Sequence, residues 1–438
     1  MGAKLLTHLN LISLLGLVVF ALLAWVVGGC RRPVPWRTVA GSAILTLGLA
    51  AVVFLLPVAR SVLLVLNQAV LAMLSGSSRG AEFLLGPLAV SPGATTAAGE
   101  PSIGFVLAAQ VLPAVIFFAA VMATLHHFGA IEPIVRLLGR LFHATLRLSG
   151  AEALTGSTHI FFGVETAAAV RPYLGAMTRS ELLVVLATNL ATVASTTLAV
   201  YVIFLRDVFP RIAGHLISAS LLSIPCAILV AKLILPERES TATGGGVPAM
   251  ARSERHASAM GALAAGAWDG LKVAAGISTI LIAVLGVVGV LDLLLGRAST
   301  LALGLDEPLS IAGLLGWLFR PLAWLLGVEA ADLAASGRLL GQRLILTEVV
   351  SYQELGGMAS RGELAPRTIL ILSYGLCGFA HVGGMGIAVG GFGALAPDRL
   401  EDLASLSLRA LAAATLATLM TGALAGLFFH GQTGILGL

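Results

Sequence analysis

Two glutamates stand alone inside apolar sequence, Glu165 in FFGVETAAAV and Glu348 in LILTEVVSYQ. A carboxylate at bilayer depth costs about 2.5–3.5 kcal/mol on insertion scales, so a chain that keeps one turns it toward a cavity or a pathway. There it can anchor a polar solute or an ion. Each glutamate is followed by a polar exit, Arg171-Pro172-Tyr173 in one case and Ser351-Tyr352-Gln353 in the other, and then by a long Gly- or Thr-rich apolar segment. The pattern is that of one unit used twice.

The elements that must hold these carboxylates are helices in a membrane. Of 438 residues, 58% are hydrophobic and 11% charged, with a mean hydropathy of +0.99, whereas soluble domains approach about 25% charged residues. Only helices and closed barrels satisfy their backbone groups in lipid. The apolar runs here are about 20 residues long without two-residue alternation, which selects helices. The sequence therefore predicts an all-α integral membrane protein with eight transmembrane helices, at 9–29, 38–59, 103–126, 180–205, 212–235, 272–295, 367–395 and 406–429. Residues 60–74 carry an apolar stripe that suits an interfacial helix.

Two stretches are apolar but too interrupted to cross. Residues 139–171 are broken at Ser149-Gly150 and at Gly156-Ser157-Thr158, and residues 334–357 around Gly337 and Gly341. Each predicts a re-entrant helical hairpin, and each carries one of the two glutamates. Residues 237–258, ERESTATGGGVPAMARSERHAS, form a polar Gly/Ser-rich linker between the halves. The organisation is thus 1–102 as N-terminal scaffold, 103–236 as first half, 237–258 as flexible linker and 259–438 as second half. An internal inverted repeat with short, Gly-interrupted segments at matching positions points to a transporter whose site lies at the repeat interface near the midplane.

The centres of two spans are poor lipid-facing helix. Residues 189–197 hold Asn189, Thr192, Ser195, Thr196 and Thr197, and residues 377–386 hold four glycines and His381. Unwinding there exposes backbone carbonyls to a small cation and turns helix N-termini toward polar ligand groups. Close packing of small residues between helices is the alternative use of the same residue types.

The formal charge of +4 does not imply nucleic acid, because the basic residues lie at the ends of apolar runs. Arg31, Arg32, Arg37, Arg136, Arg140, Arg147, the linker and the 399–409 stretch fall on one face, which the positive-inside rule makes cytoplasmic; Arg338, Arg343, Arg361 and Arg367 on the other face oppose that bias. Val27-Gly28-Gly29-Cys30 has the look of a lipobox, but the arginines that follow argue for an uncleaved span. Cys30, Cys226 and Cys377 are too scattered for a disulfide framework or a zinc site, and His126-His127 has no carboxylate at helical spacing. There is no HExxH and no serine nucleophile with a credible histidine, so the chain does not read as an enzyme.

Several stretches resemble the concentrative nucleoside transporters, over a match from about Trp36 to the C-terminus. They are Gln110-Val111-Leu112-Pro113, Val170-Arg171-Pro172-Tyr173-Leu174 with Met177-Thr178-Arg179-Ser180-Glu181-Leu182, Glu348 with Tyr352, Tyr374-Gly375-Leu376-Cys377-Gly378-Phe379-Ala380, and GGFGALAPDRLEDLASLSLR at 390–409. The resemblance implies a homotrimer of eight-span protomers in the cell membrane, the inner one in a Gram-negative cell. It implies cation-coupled import of nucleosides or related nucleobase-like metabolites by alternating access, without a cofactor.

Site residues follow from the same resemblance. The family's Gly-Gln-Thr-Glu matches Phe162-Gly163-Val164-Glu165, which puts Gly163, Val164 and Glu165 beside the nucleobase. Its Asn-Glu matches Thr347-Glu348 at the ribose hydroxyls, and its Phe-Ala-Asn-Phe-Ser-Ser matches Phe379-Ala380-His381-Val382-Gly383-Gly384, adding Phe379, His381 and Gly384. A lost buried hydrogen-bond partner costs about 1–3 kcal/mol, so these replacements predict an altered substrate; a differently specific transporter or a non-transporting receptor is the alternative. The family's sodium site maps to Thr158, Phe161, Thr196 and Thr197, oxygen donors acceptable to a hard cation. His381 beside Glu348 offers proton coupling as a second option.

Overall fold

The structure is a computed structural model that describes residues 7–30, 32–163, 166–248, 258–304 and 308–431. The chain opens with α1 (His8–Val27), α2 (Trp36–Leu55) and α3 (Pro57–Leu85), followed by α4 (Leu107–Gln110), α5 (Leu112–His127) and α6 (Glu132–Leu146). A short pair, α7 (Gly150–Thr158) and α8 (Thr166–Leu174), precedes a span broken into α9 (Arg179–Ala191) and α10 (Ser195–Leu205), and then α11 (Ile212–Ile234). The second half repeats the order. It has α12 (Ala259–Leu303), α13 (Ile311–Leu325), the pair α14 (Leu333–Ile345) and α15 (Glu348–Ser360), a broken span α16 (Pro366–Gly375) and α17 (Val382–Leu395), and α18 (Leu400–Leu427).

Among the described residues, eight helical stretches are long and apolar enough to cross a membrane. Seven coincide with predicted spans, although α12 extends to 45 residues, far beyond the predicted 272–295. The eighth is Pro57–Ala89, which contains the helix predicted for 60–74 and continues well past it. The predicted 367–395 is broken near its expected centre into two helices, α16 and α17, separated by residues 376–381 and each shorter than a bilayer. Burial sorts the bundle. The most apolar windows of α9–α10 and α11 are 89% buried while that of α12 is 6% buried, so the former make the core and the latter presents apolar surface of the kind lipid covers.

Local sequence explains where the elements around the site begin. Ser149 and Glu152 form a reciprocal capping box at the start of α7, with Glu152 N–H donating to Ser149 Oγ (3.2 Å) and Ser149 N–H to Glu152 Oε2 (2.9 Å). Thr178 and Glu181 do the same for α9. Proline starts α16. The breaks predicted at Gly156–Thr158 and around Gly337 and Gly341 are not there: α7 runs to Thr158, α14 runs through both glycines, and the described chain leaves the helix at 159–163 and 346–347 instead. Gly337 and Gly341 serve close packing. A Cβ at Gly337 would lie 3.0 Å from Arg320 Cα, and one at Gly341 would lie 2.7 Å from the Leu315 carbonyl carbon, so α13 and α14 meet backbone to backbone.

Two of the arginines counted against the topological bias, Arg343 and Arg367, are buried inside the bundle and are not flanking charges. The linker is also less free than its composition predicts. Gly150 N–H donates to Thr243 O (2.8 Å) and Ala151 N–H to Thr243 Oγ1 (3.0 Å), so residues near 243 sit on the first turn of α7; linker residues 249–257 lie outside the described residues. Asn67 and Gln110 bond across elements, Asn67 to Pro210 and Ala213 and Gln110 to carbonyls of Leu88, Val90 and Gly104.

Candidate substrate cavity

A cavity of about 330 Å³ opens where the start of α10, the start of α15, the break of the seventh predicted span and α12 meet. Of the predicted substrate residues, Gly163, Thr347, Glu348, Phe379, His381 and Gly384 line it, and Val164 and Glu165 lie outside the described residues. Thr196 and Thr197 of the predicted cation site also line it, while Thr158 and Phe161 do not. Residues far apart in sequence thus converge as the duplicated pattern requires.

Glu348 is the first residue of α15, where the helix dipole favours a carboxylate. Tyr201 Oη donates to its Oε1 (2.8 Å), and the Tyr201 ring stacks on Tyr352 at 4.3 Å between centroids. Tyr352 Oη in turn donates to Ser373 O (2.6 Å), so α10, α15 and α16 together fix the carboxylate. His381 Nε2 stands 3.0 Å from Oε2, so the two carboxylate oxygens face a tyrosine hydroxyl and an imidazole. Thr347 Oγ1 is buried and has no hydrogen-bond partner among the described residues. A buried hydroxyl left without a partner costs about 1–3 kcal/mol, so Thr347 Oγ1 is a place for a ligand group, and the carboxylate beside it has further lone pairs to offer.

Backbone geometry at this wall is unusual. Thr347 has φ +129°, a region that a β-branched side chain rarely adopts and that costs of order 1–3 kcal/mol. His381 is the N-cap of α17, its Nδ1 accepting from Gly384 N–H (3.0 Å). A nitrogen that accepts carries no proton, so the ring proton sits on Nε2, the side facing Glu348.

The other break, between Ala191 and Ser195, is tied to the turn of the first helix pair. Ser195 donates twice to Phe161 O, from its N–H (3.3 Å) and from Oγ (2.7 Å). That occupies both lone pairs of a carbonyl predicted as a cation ligand, so a cation reaching Phe161 O must displace Ser195. Thr158 Oγ1 and Thr197 Oγ1 donate to Leu154 O (2.7 Å) and Ala194 O (3.1 Å), which leaves their oxygen lone pairs free to face a cation. No cluster of three or more His, Cys, Asp or Glu side chains suited to a metal ion occurs among the described residues.

Sequence reasoning missed Tyr201, Ser195's bridge and Lys272, which lines the cavity and pairs with Asp269 (2.8 Å). One signal was available: the chain has only four tyrosines, and a scarce hydroxyl in the middle of an apolar run asks for a partner.

Comparison with known proteins decides the family. Residues 15–88 and 215–426 match the families described as Na+ dependent nucleoside transporter N-terminus and C-terminus, and residues 108–207 match Nucleoside recognition. NupX of Escherichia coli is 34% identical over 95% of this chain and 98% of its own length. The chain belongs to the concentrative nucleoside transporter family. Nucleoside permease NupC of Helicobacter pylori is 32% identical over 96% of this chain and 98% of its own length. The structure of CNTnw in an inward-facing, substrate-bound state superposes with a TM-score of 0.85 at 32% identity, covering 96% of this chain and 98% of CNTnw. Membership makes this chain a multi-pass membrane transporter and not an enzyme, and it confirms the all-helical, eight-span fold class read from the sequence.

Proposed function

We propose that this chain is a symporter that imports a nucleoside or a related nucleobase-like metabolite by alternating access, driven by sodium. The observation that carries the reading is a 330 Å³ cavity between two broken spans, whose wall holds the buried Glu348 carboxylate beside Tyr201 and His381 and a buried Thr347 hydroxyl that has no hydrogen-bond partner among the described residues. Cavities of about 300 Å³ upward accept small organic solutes. A hydroxyl or N–H of the solute donates to Glu348, while Phe379 and the α12 face supply apolar contact. Gly163 and Gly384 present no side chain, so recognition at those two points passes to backbone and to shape.

Structures of CNTnw in outward-facing and intermediate states accompany the inward-facing one, which supports alternating access here. By the same likeness α7–α8 and α14–α15 act as re-entrant hairpins, the protomers assemble as a trimer in the cell membrane, and Thr158, Thr196, Thr197 and Phe161 form the sodium site, the last after Ser195 is released. A second reading has its own observation: His381 Nε2, 3.0 Å from Glu348, is placed to pass a proton, which makes proton the competing coupling ion.

Uptake into proteoliposomes tests the reading. A panel of nucleosides and nucleobases, each under a sodium gradient and under a proton gradient, should show sodium-driven uptake of at least one compound. In Glu348→Gln, loss of a hydrogen bond to a charged group, about 1.5–3 kcal/mol, should weaken that compound's apparent affinity by roughly 10- to 100-fold. Proton-driven uptake alone would replace sodium by the second reading. No uptake of any compound, together with thermal stabilisation by one of them, would make the protein a receptor.

A further inference from the structure

Arg343, in α14, is fully buried, and no carboxylate pairs with it among the described residues; Glu348, five residues on, faces His381 instead. Its Nη1 donates to Gly375 O (2.7 Å) and to Thr418 Oγ1 (2.9 Å), while Nε and Nη2 make no hydrogen bond among the described residues. An arginine is expensive to keep in such a place, so what it touches is informative. Gly375 is the last residue of α16, the first half of the broken span. The last carbonyls of a helix lack intrahelical partners and carry its negative end. Arg343 therefore caps α16 from another element. At the far side of the same break, His381 caps α17 and faces Glu348.

We propose that Arg343 is a positioning residue that pins the C-terminal end of α16 to the second helix pair and so holds the break at residues 376–381 in the geometry that brings His381 to Glu348. Thr418 completes the clasp. Its hydroxyl takes the second bond from Nη1, and its methyl packs against the break, 2.9 Å from where a Cβ on Gly378 would stand. The proposal concerns the architecture of the cavity and holds whichever solute or ion the protein carries.

The three native cysteines report on it without any transport measurement. Cys377 lies buried in the break, two residues past the capped carbonyl; Cys226 lies buried in α11; Cys30 is exposed. Purified protein is treated with N-ethylmaleimide and labelling at each site is followed by mass spectrometry, with Cys30 as the positive control. Arg343→Met should let the end of α16 fray and speed labelling of Cys377 by about tenfold or more while Cys226 stays at the wild-type rate. Arg343→Lys, which keeps one cationic donor for Gly375 O, should return Cys377 most of the way to the wild-type rate. Unchanged Cys377 labelling in Arg343→Met would overturn the proposal, and so would Cys377 and Cys226 rising together, which marks a loss of the whole fold. If Arg343→Met yields no folded protein, Thr418→Val decides alone. It should speed Cys377 by a few-fold with Cys226 unchanged, and no change at Cys377 would overturn the proposal.

Discussion

The two helix pairs occupy matching places in the duplicated sequence, yet among the described residues their buried charges lie at opposite ends. In the first pair the charge is at the base. Lys232 Nζ lies 2.6 Å from Glu152 Oε1 and 3.6 Å from Glu237 Oε2 and donates to Ser180 Oγ (3.0 Å), while Thr178 Oγ1 donates to Glu237 Oε2 (2.7 Å). Two capping boxes and the Thr243 bonds to α7 add to this fastening. In the second pair the buried charges, Arg343 and Glu348, flank the turn itself, and the base is held by the half-exposed Arg338–Glu354 pair. One pair is moored where it leaves the bundle core; the other is organised around its tip, where the strained Thr347 and the Glu348 carboxylate lie.

The strongest test of this contrast removes the mooring. Lys232 and Glu152 have side chains only 5% and 2% exposed, and taking away one partner of a buried pair costs about 3–5 kcal/mol, because the other charge stays behind unpaired. Lys232→Met should therefore cost most of the folded yield, read as a lowered melting temperature and a loss of the monodisperse peak on size exclusion. The double variant Lys232→Met/Glu152→Gln should recover a large part of it, since the stranded charge is gone. A single variant with wild-type melting would mean that the base is not where the first pair is held.

A second test goes to the tip. If Thr347 stores strain at φ +129°, glycine, which adopts that region freely, should relieve it. The gain of about 1–3 kcal/mol is offset by about 0.5–1 kcal/mol of extra chain entropy, so Thr347→Gly should melt higher by roughly 1 kcal/mol in stability. The same change deletes an unfilled acceptor from the cavity wall, and apparent solute affinity should fall even as stability rises. A lower melting temperature would show that the Thr347 side chain contributes more than its backbone costs.

Much of this contrast was legible before any coordinates. Spans follow from apolar length, and Glu348, Thr347, Phe379, His381 and Gly384 meet in one cavity as their spacing and the family resemblance suggested; Glu165 lies outside the described residues. The misreadings share one physical cause, which is that a residue type can serve opposite ends. Glycine breaks a helix or lets two helices touch, and at Gly337 and Gly341 it does the second. Arginine flanks a span or caps a helix end deep inside, and Arg343 at Gly375 O and Arg367 at Gly426 O do the latter. Tyr201 looked like any aromatic in an apolar run, because its partner Glu348 is 147 residues away. Polar linker composition likewise hid the docking of Thr243, since a backbone carbonyl that satisfies another helix's first N–H leaves no mark in sequence.

The smallest effect belongs to the base of the second pair. Arg338 Nη2 lies 2.5 Å from Glu354 Oε1, and Gln342 Nε2 donates to Glu354 Oε2 (2.7 Å), but the Arg338 and Glu354 side chains are 46% and 28% exposed. Exposed pairs are screened by solvent and contribute about 0–1 kcal/mol. Arg338→Ala should therefore shift melting by no more than that, and less in high salt, with uptake kept. The contrast with Lys232→Met is then a contrast in burial, since both variants remove one cation from the base of a helix pair. An Arg338→Ala cost approaching that of Lys232→Met would erase the asymmetry between the two halves and assign the second pair a mooring at its base as well.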